Sequence, residues 1–290
     1  MNTDWLNRSE YPFEHKYFPV NGVNLHYLDE GKGDVVLFVH GTPSWSFEFR
    51  YVIRELSKEY RCVAIDHIGF GLSDKPAQYD YSIQNHAVTL TKFIDHLQLK
   101  NINLLVHDFG GPIGLKYATG HPENIHKLII LNTWCKSIEQ EPEFKKMRSI
   151  LGSPLLPFLY RYLNFSPRYI LPAAFGERTR LTKEIHHHYL KPFAKPSERN
   201  GVVAFARSLL NDQQWFETIY NDLHKISWKP TLLIWGMKDQ FITEKYLNIL
   251  IDEFKDAEVI KYEDAGHFVL EEKSMVAAPV IGEFLSNIFK

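Results

Sequence analysis

Two carboxylates and one histidine stand just past the ends of apolar runs, where strands present side chains for chemistry. The run 102–106 passes directly into His107-Asp108-Phe109-Gly110-Gly111 and then into a helical pattern. That is the strand, sharp turn and helix of a nucleophile elbow, with Asp108 at its apex and glycines that let the helix start close on the strand. Asp239 follows the run 231–234, in Trp235-Gly236-Met237-Lys238-Asp239, and His267 follows the run 259–262, in Asp264-Ala265-Gly266-His267-Phe268. A carboxylate with an ordinary pKa near ~4 is ionised at neutral pH, so it needs no base before it attacks saturated carbon. The product of such an attack is an ester on Asp108. A histidine can then deprotonate the water that hydrolyses it, and a second acid fixes the histidine tautomer and stabilises its imidazolium. The expected roles are therefore Asp108 as nucleophile, His267 as general base and Asp239 as the residue that orients His267. One acid at a strand end is as readily a helix N-cap. Three such residues in the order nucleophile, acid, histidine are a more specific signal.

A fourth piece is His40-Gly41-Thr42-Pro43, after the run 35–39. Its glycine lets the backbone turn close to the elbow, so the amides of Thr42 and Phe109 are expected to point at the reacting centre as an oxyanion hole does. His40 is expected to hold this loop by hydrogen bonds rather than to transfer protons.

Strands must carry these ends, and β-branched-rich apolar runs recur at 35–39, 62–65, 102–106, 128–131, 231–234 and 259–262. Amphipathic stretches at 82–97, 112–119 and 246–254, with a terminal helix around 274–289, alternate with them. Such alternation predicts a mostly parallel sheet covered on both faces. The segment 18–28, with Asn21-Gly22 as a two-residue turn, predicts an antiparallel hairpin on the sheet edge. From 136 to 225 the alternation stops, and Pro, Tyr, Phe and Leu recur at helical spacing with no convincing strand. The economical reading is one α/β-hydrolase-fold core, 1–135 and 226–290, interrupted by a helical cap at 136–225 over the carboxyl ends of the strands.

Across 290 residues, 33 basic against 35 acidic side chains give no electrostatic reason to expect nucleic acid. No apolar run is long enough to span a bilayer and the N-terminal segment has no apolar signal region, so no membrane partner and a cytoplasmic location are expected. Cys62 and Cys135 read as buried free thiols. His186-His187-His188 cannot converge on one metal from a helix, where adjacent side chains diverge by about 100°. The Gly69 and Gly71 pair lacks a dinucleotide-binding frame. No cofactor and no metal are expected.

The chain resembles the haloalkane dehalogenases and their relatives among the epoxide hydrolases over nearly its whole length. The resemblance is carried by His40-Gly41-Thr42-Pro43-Ser44-Trp45, by Asp66 with Gly69-Phe70-Gly71-Leu72-Ser73-Asp74-Lys75-Pro76, by the Asp108 elbow, and by Asp264-Ala265-Gly266-His267-Phe268. It implies an eight-stranded α/β-hydrolase sheet and an enzyme that converts a haloalkane and water to an alcohol and halide. The implied partners are a small hydrophobic substrate, water and a halide ion. The dehalogenases usually hold the leaving halide with an indole N–H after the nucleophile and a second donor in the His-Gly-x-Pro loop. Here those positions are Phe109 and Thr42. Replacement donors are available from Trp45, Trp134 or Trp215, with Trp134 the best placed, and Phe109, Trp45, Phe175 and Phe268 are expected to line the pocket. Phe158, Phe165 and Phe193 would extend that apolar lining.

Three alternatives stay open. Epoxide hydrolases protonate the opening oxygen with cap tyrosines, for which Tyr160, Tyr162, Tyr169, Tyr189 and Tyr220 are available. Against that reading, Thr42 stands where they carry a large apolar residue, and the placement of Asp239, with Asn132 at the preceding strand end, follows one branch of the dehalogenases. The β-lactone decarboxylases share the aspartate elbow. Outside enzymes, the same fold serves as a small-molecule receptor, a reading that a degraded triad would favour.

Overall fold

The structure is a computed structural model, in which residues 3–287 are described. Eight strands, β1 (Lys16–Val20), β2 (Val23–Glu30), β3 (Val35–Val39), β4 (Arg61–Ile65), β5 (Ile102–His107), β6 (Ile125–Leu131), β7 (Thr231–Gly236) and β8 (Glu258–Tyr262), form one sheet. Their order is β1-β2-β4-β3-β5-β6-β7-β8, parallel from β4 to β8, with the β1-β2 hairpin added antiparallel at one edge. Asn21 and Gly22 both take positive φ, 50° and 79°, as the expected two-residue turn requires.

The six parallel strands lie where the apolar runs predicted them, to within three residues at either end. The reason is burial on both faces. In β3, Val35, Leu37 and Val39 enter one core while Val36 and Phe38 enter the other, and all five are buried. A strand alternating between two cores reads as a near-continuous apolar run. Helices α1 (Arg50–Leu56), α2 (Ile83–His96) and α3 (Gly110–Gly120) follow β3, β4 and β5. Between β6 and β7 the described residues form helices and turns only: α4 (Pro142–Leu151), α5 (Leu156–Leu163), α6 (Leu171–Ala173), α7 (Lys183–Leu190), α8 (Asn200–Asn211) and α9 (Gln213–Asp222). α10 (Glu244–Glu253) and α11 (Val269–Ser286) complete the chain. The terminal helix begins five residues before its expected start, because a first turn is joined across a kink at Lys273 (φ −127°, ψ 16°) to the segment that the periodicity marks. The expected end at Phe289 lies outside the described residues.

Candidate functional site

Thr42 follows β3 and Asp108 follows β5, so the two flank the point where the chain steps out to β4 and returns on the other side of β3. In parallel sheets that point opens a crevice at the carboxyl ends of the strands. Asp108 takes φ 52°, the left-handed conformation of an elbow apex. Neighbours hold it there: its N–H donates to the Asn132 carbonyl at 3.2 Å, and the Thr133 hydroxyl donates to its carbonyl at 2.5 Å. Gly110 is needed because a Cβ there would lie 1.9 Å from the Val39 carbonyl oxygen. Gly41 leaves room for the carboxylate itself, since a Cβ would fall 2.0 Å from Asp108 Oδ1.

The Asp108 carboxylate meets both expected amides. Thr42 N–H donates to Oδ1 at 2.7 Å, and the Phe109 backbone N–H is a second donor. His267 Nε2 lies 3.4 Å from Asp108 Oδ2, while Nδ1 lies 2.6 Å from Asp239 Oδ2. All three side chains are buried. Asp239 is itself fixed: Oδ1 accepts the N–H groups of Phe241 (2.8 Å) and Ile242 (3.0 Å), and Oδ2 accepts the Asn132 amide at 2.9 Å. The structure thus brings Asp108, His267, Asp239, Thr42 and Phe109 together.

Burial alone would drive the Asp108 carboxyl above its usual range. The hydrogen bond and charge of His267, with smaller help from His107 and the Phe109 amide, outweigh it and hold Asp108 below 3.8. Burial also disfavours the His267 cation, yet Asp239 and Asp108 raise it from 6.5 to about 10. The resting arrangement is therefore an imidazolium between two carboxylates. An ester on Asp108 would remove one of them and with it part of the hold on the proton.

Other expected residues divide. Trp134 is buried with its ring edge-to-face against Phe109, centroids 4.8 Å apart. Its indole N–H meets no acceptor among the described residues, whereas Trp45, Trp228 and Trp235 spend theirs on carbonyls. Trp45 corrects an expectation. It packs in the opposite core against Tyr11 and Phe47 and donates to the His188 carbonyl at 3.0 Å, so it neither lines the crevice nor offers a donor there. Phe268 packs edge-to-face on His267 (5.1 Å) and stacks on Phe175 (5.4 Å), and both share the core of Trp45 rather than that of Phe109. Phe205 of α8, not singled out by the sequence, covers Phe109 at 4.8 Å. Phe158 is 53% exposed and faces outward, contrary to its expected place in the lining. Phe193 packs on Phe70, and Phe165 is half-buried.

None of the five candidate tyrosines presents a free hydroxyl to Asp108. Tyr160 bonds Ser166, Tyr189 bonds Glu271 and Tyr220 bonds Glu253, while Tyr162 and Tyr169 are exposed. His40 holds its loop as expected, through Gly41 O (2.6 Å) and the His67 N–H (2.9 Å). His186 and His188 spend ring nitrogens on Pro167 O and Glu184 O, and no cluster among the described residues is arranged to hold a metal ion. Cys62 and Cys135 are free and buried, and burial raises both thiols. No helix among the described residues is long and apolar enough to cross a membrane.

Three features escaped the sequence. Glu272 accepts the amides of Gly266 (2.8 Å), Glu177 (2.7 Å) and Gly176 (3.2 Å), tying the His267 loop to the helical insertion. The His267 N–H donates to Ala174 O at 2.8 Å at the same junction. Glu48 reaches His107, beside the elbow, at 3.0 Å. Each includes a bond between residues at least 59 apart in the chain, and no local pattern marks those bonds.

Comparison with known proteins agrees with this architecture. Residues 34–274 match the family model described as alpha/beta hydrolase fold. A cis-3-alkyl-4-alkyloxetan-2-one decarboxylase from Shewanella oneidensis is 34% identical over 286 residues, covering 95% of this chain and 89% of that protein. Haloalkane dehalogenase 2 from Mycobacterium tuberculosis is 32% identical over 277 residues, covering 94% and 96%. The structure of haloalkane dehalogenase DatA from Agrobacterium tumefaciens C58 superposes with a TM-score of 0.86 at 24% identity, over 97% of this chain and 99% of that one, a likeness of fold. The chain belongs to the α/β hydrolase fold family, as a haloalkane dehalogenase-like member of it.

Proposed function

We propose that this protein is a hydrolase that attacks a small apolar electrophile with Asp108, forms an alkyl ester on that residue and releases it with water activated by His267. The observation that carries the reading is the Asp108 carboxylate, ionised and held by the Thr42 amide at 2.7 Å with His267 Nε2 at 3.4 Å. In the first step the carboxylate displaces the leaving group from saturated carbon. In the second, neutral His267 takes a proton from water, hydroxide adds to the Asp108 carbonyl, and the Thr42 and Phe109 amides stabilise the oxyanion. Asp239 balances the imidazolium that forms. The segment 136–225 acts as a cap over the core formed by 1–135 and 226–290, a reading supported by the Phe205 contact with Phe109.

We take the reaction to be dehalogenation: haloalkane and water give alcohol, halide and a proton. The 32% identical dehalogenase supports this, and the unspent indole N–H of Trp134 beside Phe109 supplies a donor for the halide. Two observations favour a second reading, decarboxylation of a β-lactone to an alkene. Phe109 and Thr42 replace the usual halide donors, and the decarboxylase relative is 34% identical over nearly the whole chain. The occupied or exposed tyrosines count against epoxide opening.

Single turnover in heavy-oxygen water tests the mechanism: the label is expected in the Asp108 carboxylate, and label in the product alone would sink it. A panel of chloro- and bromoalkanes, epoxides and 3,4-dialkyl β-lactones tests the substrate. Halide release supports dehalogenation, and alkene formation without halide release replaces it with the second reading.

A further inference from the structure

We propose that Glu48 and His107 form a buried ion pair that positions the His267 loop and, by placing an imidazolium beside the His267 ring, helps that ring give up its proton when Asp108 is esterified. The inference rests on the reading of His267 as the base. Glu48 lies on the short turn Ser46–Phe49, just after the Thr42 loop, and His107 is the last residue of β5, directly before Asp108. Both are buried. Glu48 Oε1 lies 3.0 Å from His107 Nδ1, and Oε2 accepts the Ser44 hydroxyl. His107 Nε2 lies 2.9 Å from the His267 carbonyl oxygen, and the two imidazole rings are 4.6 Å apart.

Hydrogen-bond accounting restricts the protons. A carbonyl oxygen only accepts, so Nε2 of His107 carries a proton. Nδ1 and Oε1 then face each other at 3.0 Å with one further proton between them, since two bare acceptors would set lone pair against lone pair. Either His107 is an imidazolium and Glu48 a carboxylate, or both are neutral. The Ser44 hydroxyl donates to Glu48 Oε2, a hydrogen bond that favours the carboxylate form. The ion pair follows.

The titratable groups around His267 come from four directions. Asp108 and His107 belong to the elbow, Asp239 to the loop after β7, Glu48 to the turn after β3, and Glu272 to α11, where its carboxylate is taken by three backbone amides. Within this set His107 is the one cation in ring contact with His267. In the resting protein two carboxylates outweigh it. With Asp108 esterified, Asp239 alone opposes it, and repulsion between two adjacent imidazoliums favours the neutral, proton-accepting form of His267.

Glu48→Gln is close to isosteric and leaves no buried group unpaired. Its carbonyl accepts from Ser44, and its amide donates to a His107 that no longer needs its second proton. Long-range nitrogen–proton spectra of the resting protein at pH 7 are expected to show both His107 ring nitrogens protonated in the wild type and Nε2 alone in Glu48→Gln. The acid limb of the kcat profile, read on whichever substrate the panel identifies, is expected to move up by about one pH unit in the variant. A scaffold role alone would lower kcat without moving that limb. An unprotonated Nδ1 in the wild type overturns the ion pair, and this spectrum needs neither a variant nor a substrate, so it is decided apart from the proposed reaction. A protonated Nδ1 with an unmoved limb overturns the tuning.

Discussion

His267 is shared unequally between two carboxylates: its Nδ1 lies 2.6 Å from Asp239, and its Nε2 lies 3.4 Å from Asp108. The shorter contact is made to the acid that would keep its charge throughout the proposed reaction. The longer one faces the carboxylate that esterification would neutralise, and leaves the imidazole seated to receive a water.

Replacing His267 by Phe is expected to stop the reaction after the first step. Incubation with a bromoalkane should raise the intact mass of the variant by one alkyl group, located on Asp108 by peptide mapping. Normal turnover by this variant would refute the role given to His267.

Stability should follow the same pair. Asp108 is held below 3.8, so its contribution is present above that pH and is lost as the pH falls through its lowered folded value. His267 is raised from 6.5 to about 10, so its contribution is complete below 6.5 and disappears as the pH rises through 10. The gap in Tm between the wild type and His267→Phe is therefore expected to be widest between pH 4 and 6.5 and to shrink toward pH 10. Thermal unfolding across that range measures it, and a constant gap would contradict the assignment.

At the elbow, Gly110→Ala would push a Cβ to 1.9 Å from the Val39 carbonyl oxygen, a backbone atom that cannot rotate away. A loss of about 3 kcal/mol is expected, at the upper end for overpacking. Gly22→Ala is the comparison, because Gly22 has open space and only a positive φ of 79° to lose, about 1 kcal/mol. Urea unfolding of the two variants separates crowding from conformational strain. Equal losses would refute the close approach of α3 to β3.

Trp134→Phe keeps an aromatic ring against Phe109 but removes the indole N–H together with the volume of the second ring, at a buried position. If that N–H stabilises the departing halide, halide release should fall about 10- to 100-fold, the range of one hydrogen bond to a charged group, measured well below a Tm that the cavity itself lowers. An unaltered rate would make Trp134 a packing residue.

Much of this arrangement is legible in the sequence, for a physical reason. Parallel strands buried on both faces are nearly continuously apolar, so 35–39 and 102–106, broken only by Asn103 whose amide bonds Val35 O, mark their own ends, and the polar residues just past those ends mark Thr42 and Asp108. Trp45 was misplaced because its type says that it is buried but not on which side of the sheet. The side is set by the turn into Ser46–Phe49 and by a carbonyl 143 residues away. Phe158 shows the limit of helical spacing in the insertion, where α5 turns that ring to solvent. Glu48 and His107 lie 59 residues apart, and nothing local joins them before the sheet folds.

Asn132, at the end of β6, donates its side-chain amide to Asp239 at the end of β7, and its carbonyl oxygen accepts the Gly236 N–H. The two strand ends therefore form adjacent seats for a single negative charge, and exchanging Asn for Asp between them leaves the count of charges and nearly the count of hydrogen bonds intact. Asn132 therefore fixes the Asp239 carboxylate against the neighbouring strand as well as against its own loop.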